Sequence, residues 1–555
     1  MRFDNAMNKI KNFLSYKEIT FVSLPIFLAL YFSLIVNFPI LSELNTILSK
    51  LESVKVGFII SIPVFFFAAF NFIFNLFSWP YLSRPFFALL LIVSSMVSYA
   101  MYNYGVIFDY GMIENIFETD TSEATSYLSH YSIFWTMVMG VLPALFLWKV
   151  KIKNDKGPVR FVVMKVASMA TSLLIIAIIA FFFYKDYSSV GRNNSYLKKM
   201  IIPTHYVYSA AKYINNTYFA EPIEYKQIGL DAKQSDTALT AAQSKPTLFV
   251  FVLGETARAQ NYELNGYERP TNLYTRDLGM ISFRDVSSCG TATAVSVPCM
   301  YSAMPQSSYD KQRANNQDNF LDIMQRAGIS LLWKENDGGD KDVAKRIPLL
   351  EIQRNVKNEF CNGSTCYDMA LLESFDNDIS AMKGNRMLTL HLIGSHGPTY
   401  YQRYPEDKRF FMPDCPRSDI ENCSREEIIN TYDNTILYTD FVISQTIAKL
   451  KQLEDKYNTA LFYISDHGES LGENGLYLHG TPYSLAPDHQ TQVPMMAWFS
   501  SGFSKSKKIN TDCLKQAAEK NSYSQDNIFH SMLGIMDVET EVYNSGMDIF
   551  YQCRN

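Results

Sequence analysis

No cysteine occurs before residue 289 of this 555-residue chain, and no Cys-x-x-Cys spacing occurs anywhere in it. The second absence removes the usual zinc-ribbon pattern. Internal repeats and low-complexity tracts are also missing, which excludes solenoids and compositionally biased tails. Residues 105–130 hold no Lys or Arg, although they carry Asp109, Glu114, Glu118, Asp120 and Glu123. The net charge of −5 is too small to mark the chain as a nucleic-acid binder, and no nucleic-acid partner is expected.

What is present is unevenly spread. Residues 1–190 are apolar and aromatic, and the remainder reads as a globular sequence. Five apolar stretches, near 19–38, 57–78, 85–104, 131–149 and 161–184, reach the length of about 20 residues needed to cross a bilayer. Their interiors hold no charge other than Lys165, near one end, which gives a transporter little to work with. The first stretch follows Arg2, Lys9, Lys11 and Lys17, but it is long and lacks a small-residue cleavage site, so it reads as a retained span. Lys149, Lys151, Lys153, Lys156 and Arg160 assign loop 149–160 to the cytoplasm, and the acidic loop 105–130 to the opposite side. Five spans then place everything after residue 184 outside a bacterial inner membrane, in the periplasm. Eight cysteines confined to residues 289–553 suit that oxidising side. Cys289/Cys299, Cys361/Cys366 and Cys415/Cys423 form close pairs, which leaves Cys513 and Cys553. The expected division is a transmembrane domain at 1–184, a linker at 185–245 and a soluble domain at 246–555.

Two polar features adjoin the spans. Asn115, Thr119 and Glu123 are spaced i, i+4, i+8, which would set an amide, a hydroxyl and a carboxylate on one helical face. A solvated face is the plain reading; a strip meeting a lipid headgroup, with Glu123 toward an ammonium, is the functional one. Lys185, Arg192, Lys198 and Lys199 follow the last span and read as a solvated linker, or as residues lying along anionic headgroups.

From residue 247 the pattern is α/β. Thr247–Leu253, Met387–Ile393 and Ala460–Ile464 are unbroken apolar runs of the kind that form buried parallel strands, with helical stretches such as 318–327 and 427–452 between them. A layered sheet with helices on both faces is expected. Each run leads straight into reactive residues: Glu255, then Ser395-His396-Gly397, then Asp466-His467. Ligands of open α/β sheets bind beyond the carboxyl ends of strands, so these groups converge on one site. Two carboxylates and an imidazole form a ligand set suited to zinc. The stretch Cys289-Gly290-Thr291-Ala292-Thr293-Ala294-Val295-Ser296-Val297-Pro298-Cys299 offers a hydroxyl, Thr293, for the fourth position, where a metal would activate it as a nucleophile. His396 and His479 follow element ends and suit metal or phosphate contacts, whereas His130, His205, His391, His489 and His530 read as structural or surface residues.

Gly-Glu-Thr-Ala-Arg at 254–258 with Asn261 and Gly266-Tyr267, the 289–299 stretch, Gly-Ser-His-Gly-Pro at 394–398, and Ser-Asp-His-Gly-Glu-Ser-Leu-Gly-Glu-Asn-Gly at 465–475 with His479 together resemble the phosphoethanolamine transferases. That family includes the lipid A modifying enzymes and the mobile colistin-resistance proteins. The resemblance runs over essentially the whole chain. It implies five spans and an external alkaline-phosphatase-like domain, with phosphatidylethanolamine as donor and lipid A as acceptor. It also implies that Thr293 becomes phosphoethanolaminated and that Glu255, Asp466 and His467 complete the ligands of a catalytic Zn2+. His396 and His479 would bind substrate phosphate or a second zinc. Lys341 would lie near the headgroup, though Gly338 stands where some relatives have serine. Asn115, Thr119 and Glu123 would meet the donor headgroup. The three close cysteine pairs match the family's disulfides, and a monomer is expected. A core sugar is an alternative acceptor and a phosphoglycerol transferase an alternative enzyme. A sulfatase is disfavoured because neither Cys nor Ser stands at position 293.

Overall fold

The computed structural model describes residues 18–50, 54–119, 124, 127–153, 157–219 and 221–554. Arg2, Lys9, Lys11, Lys17, Asp120, Glu123 and Lys156 lie outside the described residues. The described residues fall into two compact units, one within Met1–Ile113 and Leu128–Asn215, the other within Glu114–Tyr127 and Asn216–Asn555.

The first unit is helical. α1 (Ser23–Val36) and α2 (Phe38–Ser49) form a pair bent by 54°, followed by α3 (Val56–Phe77), α4 (Ser83–Tyr104), α6 (His130–Lys149) and the 36-residue α7 (Pro158–Asn193). Among the described residues, four helices are long and apolar enough to cross a membrane, or five if the bent pair is one span. Large apolar side chains such as Phe181, Phe182 and Val163 face outward, as lipid-facing residues do. The span expected at 19–38 ends in a break between α1 and α2. Asn37, fully buried, donates its amide to the carbonyls of Phe32 and Ile202 and accepts from the N–H of Ile202. The backbone groups freed by the bend are thereby satisfied. Asn71 on α3 donates to Ser168 and Ser172 on α7 at 3.1 and 2.8 Å. Lys165 donates to the carbonyl of Ser78 and sits over the Trp79 ring. α7 runs past residue 184 to Asn193, so the stretch read as linker begins helical.

α5 (Tyr110–Glu118) lies between α4 and α6 in sequence, and from Glu114 onward it belongs to the second unit. That unit is built on a seven-stranded, mainly parallel sheet. Its strands are β1 (Thr247–Gly254), β2 (Ile281–Phe283), β3 (Ser330–Glu335), β4 (Leu349–Glu351), β5 (Arg386–His391), β6 (Asn458–Ser465) and β7 (Met495–Phe499), in the order β2-β7-β6-β1-β5-β3-β4. β6, β1, β5, β3 and β4 are parallel, whereas β7 and β2 pair antiparallel at one edge. β1 and β6 are buried along their whole length. Burying a side chain the size of Phe249, Phe251 or Phe462 contributes about 1.5–3 kcal/mol, so this centre anchors the sheet. Register then aligns the strand ends. Gly254 lies opposite Ser465, Leu253 opposite His391, and His391 opposite Glu335. The residues that follow four adjacent strands are therefore delivered to one edge. Four disulfides join Cys289–Cys299, Cys361–Cys366, Cys415–Cys423 and Cys513–Cys553.

Candidate active site

Glu255 follows β1, and Asp466 and His467 follow β6. All three are fully buried, with ligand atoms within 4.8 Å of one another. Backbone bonds hold the two strand ends together: Asp466 N–H donates to the Gly254 carbonyl, and Thr256 N–H donates to Asp466 Oδ1 at 3.0 Å. Thr256, in the left-handed region at φ 56°, donates its hydroxyl to Glu255. On the other flank Ser395 N–H donates to the Glu255 carbonyl. Gly394 there has φ 48°, and a Cβ on it would stand 2.7 Å from that carbonyl, so only glycine fits.

Thr293 is the first residue of α8 (Thr293–Tyr301). Its Oγ1 lies 3.2 Å from Glu255 Oε2 and 3.4 Å from His467 Nε2. The preceding turn is fixed at several points. Ser296 accepts from Gly290 N–H, Thr291 donates to the Thr481 carbonyl, and Gly480 N–H donates to the Thr291 carbonyl. Buried Gln525 bridges outward, accepting from Cys289 N–H at 2.7 Å and donating to the carbonyls of Ser465 and Asp466 at 2.9 and 2.7 Å.

Burial, with the negative charges of Asp466 and Asp337, pushes Glu255 well above the ordinary carboxylate value. Burial holds His467 at about 4, so its ring is neutral and able to act as a ligand. Asp466 stays charged: burial works against it, but His467, Glu255 and two backbone N–H groups hold it below its usual value. Asp466 Oδ2 has no hydrogen-bond partner although it is buried. An unpartnered buried carboxylate oxygen beside a second carboxylate, a neutral imidazole and a hydroxyl fits a divalent metal of the zinc type.

His396 and His479 stand beside this group. Their ring centroids are 5.8 Å apart, and His479 lies 4.4 Å from His467. His479 Nδ1 is 3.3 Å from Glu469 Oε2. Lys341 is near enough to Asp337 to lower its pKa, against a larger upward effect of burial. Asn115 and Thr119 belong to the second unit, and Thr119 Oγ1 donates to the Asn115 carbonyl at 2.6 Å. Glu123 lies outside the described residues. Arg258, Asn261 and Tyr267 turn away from the site: Arg258 pairs with Glu473, and the other two donate to Asp433 on α9 (Arg425–Gln452).

Two acids escaped the sequence reading. Asp337, after β3, joins Glu255 and His396 in a second group within 4.8 Å, and Glu469 partners His479. Both are buried, with an unpartnered oxygen each. The strand-end rule that found Glu255 applies equally to Asp337. Behind Asp337, His391 Nδ1 donates to Glu335 at 2.7 Å. Glu335 also accepts from Trp333 and is held at about 2 despite burial.

A mainly parallel sheet carrying a buried acid, imidazole and threonine cluster at its carboxyl edge defines an alkaline-phosphatase-like domain, here joined to an apolar helical unit. Residues 247–538 match the family described as Sulfatase, and residues 66–218 match that described as Phosphoethanolamine transferase EptA/EptB. The chain is 38% identical over 546 residues to phosphoethanolamine transferase EptA of Escherichia coli (strain K12), covering 98% of this chain and 99% of the relative. It is 37% identical over 462 residues to phosphatidylethanolamine transferase Mcr-1 of Escherichia coli, covering 80% and 83%. Among solved structures, the integral membrane protein lipooligosaccharide phosphoethanolamine transferase A (EptA) from Neisseria meningitidis superposes with a TM-score of 0.92 at 36% identity, covering 97% of this chain and 100% of that one. The chain belongs to the phosphoethanolamine transferase family.

Proposed function

We propose that the protein moves phosphoethanolamine from phosphatidylethanolamine to a lipid A phosphate in two steps, with Thr293 as the nucleophile. The observation that carries this reading is the placement of Thr293 Oγ1 against Glu255 Oε2 and His467 Nε2, with Asp466 Oδ2, satisfied by no hydrogen bond, 3.2 Å from the same His467 nitrogen. In the first step Thr293 Oγ1 forms a bond to the donor phosphorus, and the bond to the diacylglycerol oxygen breaks. The hydroxyl proton leaves with diacylglycerol. In the second step an oxygen of the acceptor phosphate forms a bond to the same phosphorus, the Thr293 Oγ1–phosphorus bond breaks, and the proton given up by the acceptor returns to the Thr293 hydroxyl. Thr293 opens α8, so the phosphoryl oxygens meet the positive end of a nine-residue helix.

Glu255, Thr293, Asp466 and His467 would hold a zinc ion. When bound, such an ion supplies Lewis acidity toward the phosphoryl oxygens and lowers the pKa of the threonine hydroxyl. His396, His479 and Asp337 line the adjoining position, for substrate phosphate or a second ion. Lys341 serves the headgroup or phosphate side. Asn115 and Thr119 meet the ethanolammonium: the Thr119 hydroxyl, already donating to Asn115, keeps its lone pairs for an ammonium donor. By its spacing in the sequence, Glu123 would supply the anion for that ammonium. We take the enzyme to act as a monomer. The apolar helices and the charge asymmetry of their loops support an inner-membrane enzyme with its catalytic unit in the periplasm. Covering lipid A phosphate with a cationic group lowers surface charge and weakens binding of polymyxin-like peptides.

The test is the lipid A mass spectrum of cells expressing wild type or Thr293→Ala. Phosphoethanolamine-modified lipid A that disappears in the variant is expected. Unmodified lipid A with an adduct trapped on Thr293 would redirect the acceptor to a core sugar or another group. Absence of both, with well-expressed protein, would overturn the transferase reading.

A further inference from the structure

The segment that carries Asn115 and Thr119 groups with the catalytic unit although its two ends continue into apolar helices α4 and α6. One lysine fastens it there. Lys311 Nζ lies 2.7 and 2.9 Å from the two carboxylate oxygens of Glu118, and 3.5 Å from Glu114 Oε2. Glu114 and Glu118 are one helical turn apart on α5, so a single cation spans both. The Lys311 side chain is only 15% exposed and those of Glu114 and Glu118 11% and 31%. An ordinary exposed pair is weakened by water and salt. This one is shielded, and one cation offsets two acids. Tyr309 marks how near that negative charge stands: burial first, then Glu114 and Glu118, push its hydroxyl well up.

The surroundings of Lys311 extend the pattern. It opens a short helix, Lys311–Asn315, whose cap Asp310 accepts from Arg313 N–H, and which packs against α8, the helix that begins with Thr293. The next two residues hold the other stretch by which the chain passes into this unit. Gln312 donates to the Asn216 carbonyl at 3.1 Å and Arg313 to the Glu224 carbonyl at 2.9 Å. Three consecutive side chains thus grip both crossings. The acids that Lys311 holds immediately precede Asn115 and Thr119 in sequence, and Thr119 is bonded back to Asn115.

We propose that Lys311 is a positioning residue whose ion pairs with Glu114 and Glu118 fasten residues 114–119 to the catalytic unit, holding Asn115 and Thr119 where the donor's ethanolammonium headgroup is received. This rests on the headgroup role proposed above for Asn115 and Thr119.

The experiment uses full-length, zinc-loaded enzyme in detergent micelles with a fluorescent-tailed phosphatidylethanolamine. It compares wild type, Lys311→Glu, Lys311→Arg, and the charge swap Lys311→Glu with Glu118→Lys. Donor KM and kcat are measured together with amide exchange over residues 114–119. Lys311→Glu should raise KM about tenfold, change kcat by less than about threefold, and speed exchange in that segment. Lys311→Arg and the swap should recover both readouts, which a purely structural defect would not do. Unchanged KM and exchange in Lys311→Glu, or a swap that recovers neither, would overturn the proposal. Asn115→Ala and Thr119→Ala separate the two readings. If they raise KM while Lys311→Glu does not, the fastening alone is wrong. If they leave KM unchanged, the headgroup role has failed, and the proposal with it, whatever the exchange shows.

Discussion

The two units bury polar groups in opposite ways. In the helical unit the buried polar side chains are mostly neutral and serve as joints between helices: Asn71 to Ser168 and Ser172, Asn37 to Ile202, Ser98 to the Val36 carbonyl. In the catalytic unit, Glu255, Asp466, Asp337 and Glu469 are buried together at one edge of the sheet, and three of the four keep an oxygen without a partner. A neutral amide in a low-dielectric interior is satisfied by neighbouring carbonyls and hydroxyls. Crowded carboxylates are not, and burying them is costly unless a cation joins them. The contrast separates polar groups that hold the protein together from polar groups kept ready for something that arrives later.

The strongest way to break this contrast is at the nucleophile. Thr293→Ala should lower phosphoethanolamine transfer by at least about 10³-fold while leaving the fold intact, as read from transfer assays beside circular dichroism. Next comes metal dependence. In the wild type, zinc at about 100 times its Kd should raise unfolding stability by about 2.7 kcal/mol over chelated protein. Glu255→Gln should abolish most of that gain. It should also make the chelated protein at least as stable as chelated wild type, because burial and the neighbouring acids penalise the ionised Glu255 carboxylate, and a neutral amide removes that cost. Chemical unfolding with and without chelator checks both halves, and a Gln variant that keeps the full zinc gain would contradict the ligand role. A third test moves to the nucleophile loop. Replacing Cys289 and Cys299 with serine should cost about 2–3 kcal/mol of stability, measured by guanidinium unfolding. The smallest effect belongs to the helical unit: Asn71→Ala should weaken it by about 0.6–1.7 kcal/mol in detergent unfolding, with transfer rates unchanged. A large loss of activity there would blur the distinction between the two kinds of buried polarity.

The legible parts of the chain were those whose neighbours are uniform. β1 and β6 carry unbroken apolar runs because both faces are covered, and Glu255 and Asp466 could be read off their ends. β3 hid its functional follower because it carries Lys334 and Glu335, which look unlike a buried strand. Their charges are matched by Asp378 at 2.7 Å and by His391, partners 44 and 56 residues away that only the folded chain supplies. Asp337 went unread for that reason. The bend at Asn37 was hidden in the same way, since the carbonyl and N–H that stabilise it belong to Ile202, 165 residues further on. The role of Lys311 is likewise invisible in a list of residues, because its acids lie 193 and 197 positions earlier.

Gln525 gives the site a gauge. The spacing between the turn that presents Thr293 and the strand end that presents Asp466 is set by one side-chain amide, whose oxygen grips the first and whose nitrogen grips the second. The two halves of the site cannot drift apart without breaking three short bonds inside a dry interior. On the proposed reading, a phosphoryl group arriving between them would meet a spacing set by that one amide.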